Sequence, residues 1–120
     1  MDETPALTRV EDLWFEDSGL IIQAGDSLFR VSGSVLAARS PIFRDMLAIP
    51  QPEDQPKMDG CPIVVLPDSA EDTEYFLRAI FDSSFFEGPP KPTTEPTVAG
   101  VLRLSTKYDI GFLRQRALLH

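Results

Sequence analysis

FRVSGSVLAARSPIFRDML, residues 29–47, opens as a strand and closes as a helix. Phe29 and Val31 alternate with Leu28, Arg30 and Ser32, so the first pair points at a core. After Gly33 the period becomes helical. Ser34 is placed to cap a short helix over VLAAR. Ser40 is placed to cap a second, with Pro41 at its first position, where a missing N–H costs no hydrogen bond. The proline excludes one continuous helix through the segment. The apolar residues Val35-Leu36-Ala37-Ala38, Ile42-Phe43 and Met46-Leu47 are more than one covered face can absorb, and a surplus of exposed apolar surface marks a partner site.

Working outward, GLIIQAG and SLFRVSG are β-rich runs separated by Gly25-Asp26, the pattern of a hairpin. PQPEDQPKMDG, residues 50–60, reads as a surface loop, and PIVVLP as a short strand bounded by prolines. Ser69 and Asp72 form a capping-box pattern ahead of a helix with Phe76, Leu77, Ile80 and Phe81 on one broad face. EGPPKPTTEP is a second proline-rich loop. Thr97 then opens a helix carrying Val98, Val101, Leu104 and Tyr108, and beyond Gly111 a last helix carries Phe112, Leu113 and Ala117. The expectation is an α+β domain over residues 13–120, with a three-stranded sheet (the hairpin plus one later strand) covered by about five short helices. A flexible acidic segment over residues 1–12 precedes it.

The chain has 120 residues, enough for one domain with a real core. Its formal net charge of −8 repels phosphate, which argues against direct nucleic-acid or anionic-membrane binding. Arg103, Lys107, Arg114 and Arg116 gather near the C-terminus; they read as a solvated helix face, with a basic docking strip as the alternative. No secretory signal pattern and no apolar run of membrane-spanning length is present. The single cysteine, Cys61, excludes an internal disulfide framework, and the absence of Asn excludes an N-glycosylation acceptor. These features predict residence in the cytoplasm or nucleus.

Catalytic chemistry finds little support. The one histidine, His120, is the last residue, a poor place to hold a base against a nucleophile. Cys61 reads as a small buried apolar residue, and one Cys with one His does not complete a zinc site without carboxylate help. The acid pairs Glu16-Asp17, Glu53-Asp54 and Glu71-Asp72 read as solvated, and no phosphate-cradling glycine motif occurs. No cofactor is expected. A small hydrolase or metal enzyme is the remote alternative to a binding module.

Three stretches in this order, VLAARSPIFRDML, LPDSAEDTEYFLRAIF and VLRLSTKYDIGFLRQRAL, resemble the BTB/POZ domain over roughly residues 13–120. DGCPIVVL and FDSSFF further resemble the BTB-domain proteins of mushroom-forming (basidiomycete) fungi. The resemblance implies a non-catalytic protein-interaction module that forms homodimers and recruits partners. It places the dimer face at Leu13, Trp14, Phe15, Ser34, Val35, Arg39 and Ile42. The alternative it implies is a monomeric substrate adaptor for a cullin-type ubiquitin ligase, with a partner surface at Ile49, Glu53, Phe85 and Phe86. Two departures stand out. Ser32 and Gly33 occupy positions where the family commonly carries His-Lys. Gln51 to Glu53 offers a polar residue where cullin-binding members carry an apolar one.

Overall fold

The computed structural model describes residues 6–50 and 52–120. The hairpin forms as expected. Strands β2 (Leu20–Ala24) and β3 (Ser27–Val31) pair antiparallel, Leu20 opposite Val31 and Ala24 opposite Ser27. Gly25 turns the corner at φ +57°, a conformation that a Cβ disfavours. Phe29 and Val31 are fully buried in the main core. Leu28, on the opposite side of the strand, is buried as well, in a second cluster with Trp14, Ile21 and Cys61. Both sides of the sheet are therefore apolar at this point.

The fold is α+β; the described residues form five helices and a sheet of five strands in the order β1-β3-β2-β5-β4. Two of them exceed the expected three. β1 (Thr8–Trp14) runs parallel to β3, Thr8 beside Ser27 and Trp14 beside Arg30, with an irregularity between. β4 is only Lys57–Met58, lying within the proline-rich loop and antiparallel to β5 (Cys61–Leu66). β5 in turn runs parallel to β2, Ile21 beside Ile63 and Ala24 beside Leu66. From Thr8 onward the acidic lead-in is thus a paired strand, not a loose segment; residues 1–5 lie outside the described residues. β1 is held by backbone pairing and by charges at its rim: Arg9 lies over the Trp14 ring at 4.3 Å and 3.5 Å from Asp59, and Asp12 meets Arg78 at 3.2 Å.

The helices follow the sequence pattern with shifted starts. α1 spans Gly33–Arg39 and is capped by Ser32, whose hydroxyl accepts the Val35 N–H, so Ser34 lies inside the helix. α2 spans Pro41–Ala48 with Ser40 as its cap, as expected. In α3 (Ala70–Phe81) the Ser69 hydroxyl accepts the Asp72 N–H, but the Asp72 carboxylate points at Arg103 instead of completing a capping box. α4 (Glu95–Lys107) starts two residues before Thr97, capped by Thr94. The break before α5 (Gly111–Leu119) comes from Asp109 at φ +56°, with buried Ile110 tucked beneath, and not from Gly111. Leu113 and Ala117 of α5 are buried, whereas Phe112 faces solvent.

α3 and α4 pack closely because Gly100 has no side chain. A Cβ there would lie 2.9 Å from Asp72 Oδ1 and 3.0 Å from the Tyr75 ring. Beside this contact Arg103 grips Asp72 with two hydrogen bonds of 2.8 Å. That bidentate pair holds the Asp72 carboxyl below its ordinary range.

Candidate functional site

The opening stretch carries one residue that ties distant parts of the fold together. Ser40 is completely buried; its hydroxyl accepts the Phe43 N–H at 3.0 Å and donates to the Tyr108 carbonyl at 2.6 Å. It thereby caps α2 and also satisfies a carbonyl at the end of α4. Tyr108 lies between two rings, 4.6 Å from Phe43 and 5.6 Å from Phe76. Its hydroxyl donates to Asp68, which also accepts from Lys107 at 2.6 Å. Burial, and then the carboxylate beside it, push the Tyr108 phenol well above its ordinary pKa, so it remains a donor.

This anchoring sets which side of α1 and α2 is left outside. Leu36 and Phe43 are fully buried, while their chain neighbours Val35 and Ile42 are 38% and 42% exposed. Ser34 and Arg39 are exposed as well. Between the turn after β1 and helices α1 and α2 runs an open groove of about 750 Å³, lined among others by Ser18, Leu20, Gly33, Ala37, Arg44 and Leu47. Arg44 and Leu47 are additions to the expected face. The sequence signal for the groove is the run of small residues Ser32-Gly33-Ser34 and Ala37, which leaves room between the elements.

The expected N-terminal part of the face is placed differently. Leu13 is 1% exposed and belongs to the main core. Trp14 is buried beneath Arg9 in the second cluster, its indole N–H without a partner among the described residues. Phe15 is half-buried, 5.9 Å from the Phe81 ring. Of the second predicted surface, Ile49 is 61% exposed and Glu53 is exposed, but Phe85 packs half-buried on the core and Phe86 is 1% exposed. Phe86 lies 5.3 Å from the His120 ring, on the inner side of its loop. Gln51 is outside the described residues.

The basic quartet is largely engaged internally: Arg103 with Asp72, Lys107 with Asp68, and Arg116 donating to the Phe86 carbonyl. Cys61 is a buried free thiol, and the His120 ring lies 2.7 Å from the Glu87 carbonyl. Among the described residues no group of three or more His, Cys, Asp and Glu gathers in a way that could hold a metal ion. No helix among them is long and apolar enough to cross a membrane.

No curated protein sequence matches the chain. Among solved structures, the BTB (Tramtrack and Bric a brac) domain of human gigaxonin superposes with a TM-score of 0.56 at 18% identity, covering 85% of this chain and 74% of that one. At that identity the likeness is one of fold. The family model for the BTB/POZ domain matches residues 15–118, which takes in the hairpin and helices α1 to α5. With that match across nearly the whole chain, the protein belongs to the BTB/POZ domain family.

Proposed function

We propose that this domain is a homodimerising protein-interaction module whose contact face is the outer side of α1 and α2. BTB/POZ domains are in general non-catalytic interaction modules. The observation that carries the finer reading is the exposure of Val35 and Ile42 on helices whose other side is locked to the core through Leu36 and Phe43. Rigid helices presenting apolar side chains at fixed positions suit an isologous contact, in which one patch meets its own copy. The test is light scattering after size-exclusion chromatography at micromolar concentration. Dimeric mass is expected for the wild type and monomeric mass for a Val35→Asp/Ile42→Asp variant with unchanged circular dichroism. A wild-type monomer would overturn the reading.

A second reading, a cullin-ligase adaptor, is favoured by exposed Ile49 and Glu53, an apolar residue and an acid close together on the loop after α2. Retention of the domain on an immobilised cullin N-terminal domain, lost on Ile49→Asp, supports it; no retention of the wild type sinks it. Residence in the cytoplasm or nucleus fits the buried, unpaired Cys61. DGCPIVVL and FDSSFF support a place among the BTB-domain proteins of mushroom-forming fungi.

A further inference from the structure

We draw no further inference here: the strongest candidate, the open groove between the turn after β1 and helices α1 and α2, belongs to the partner face already described, and nothing in the structure shows what covers it.

Discussion

Ser40 and Tyr108 are joined by a buried hydrogen bond that spans 68 residues of sequence. Through it the start of α2 and the end of α4 share one hydroxyl. Ser40→Ala removes a helix cap, worth about 1 kcal/mol. It also orphans a buried carbonyl, at about 1–3 kcal/mol more. Urea denaturation is expected to show a loss of about 2–4 kcal/mol. A loss below about 1 kcal/mol would mean that another donor replaces the hydroxyl.

The same substitution at two glycines should act with opposite sign. At Gly33 a Cβ meets Leu47 at 3.5 Å and Leu20 at 3.7 Å, ordinary contacts, so Gly33→Ala should stabilise α1 by about 0.5 kcal/mol. At Gly100 it would strike Asp72 at 2.9 Å and Tyr75 at 3.0 Å. Overpacking of this kind costs about 1–3 kcal/mol and outweighs alanine's better helix propensity of about 1 kcal/mol. Melting temperatures of the two variants decide it: both rising would show that α3 and α4 separate freely.

Asp72 predicts an acid-side dependence. Its folded pKa lies below the ordinary 3.8, so the pairing with Arg103 stabilises the fold above that value. The contribution is lost as pH falls through the folded pKa. The stability gap between wild type and Arg103→Met should therefore be constant near neutrality and close in strong acid. A gap that persists unchanged in acid would assign it to packing of the arginine stem.

Tyr108 predicts the opposite on the alkaline side. Its folded pKa is raised above the ordinary 10.0, so its contribution is complete below that value and falls as pH rises beyond it. Tyr108→Phe, which removes the hydrogen bond to Asp68, should cost about 1–2 kcal/mol at neutral pH. Its stability should also decline less steeply than the wild type's above about pH 10. Equal slopes would show that Tyr108 does not titrate differently in the folded and unfolded chains.

The hairpin and the Ser40-Pro41 break were legible because local chemistry decides them. A turn needs a residue that tolerates positive φ, and a proline starts a helix more readily than it continues one. β1 was not legible: most of TRVEDLW faces solvent, so it lacks the apolar alternation of a half-buried strand. Its partner β3 is found only through tertiary pairing. β4 hides among prolines for the same reason. Of the face proposed to meet a partner, the exposure of Val35 and Ile42 was readable as surplus apolar surface, since Leu36 and Phe43 already serve the core. Leu13 and Phe86 were misplaced because periodicity marks apolar residues without saying whether the monomer or a partner covers them.

The parallel pairing of β2 with β5 has a consequence for the order of events during synthesis. α1 and α2 lie in the connection that carries the chain from β3 to β5, after which come α3 and α4. A growing chain that has emerged only as far as Gly60 holds both outward-facing helices. It lacks β5 to flank β2, and it lacks Tyr108 for Phe43 to rest on. Long-range parallel pairings close late, after their loop entropy has been met. Two copies meeting through the face proposed above would therefore do so only after β5 and α4 are in place, so the contact depends on the late, long-range part of folding and not on the two helices alone.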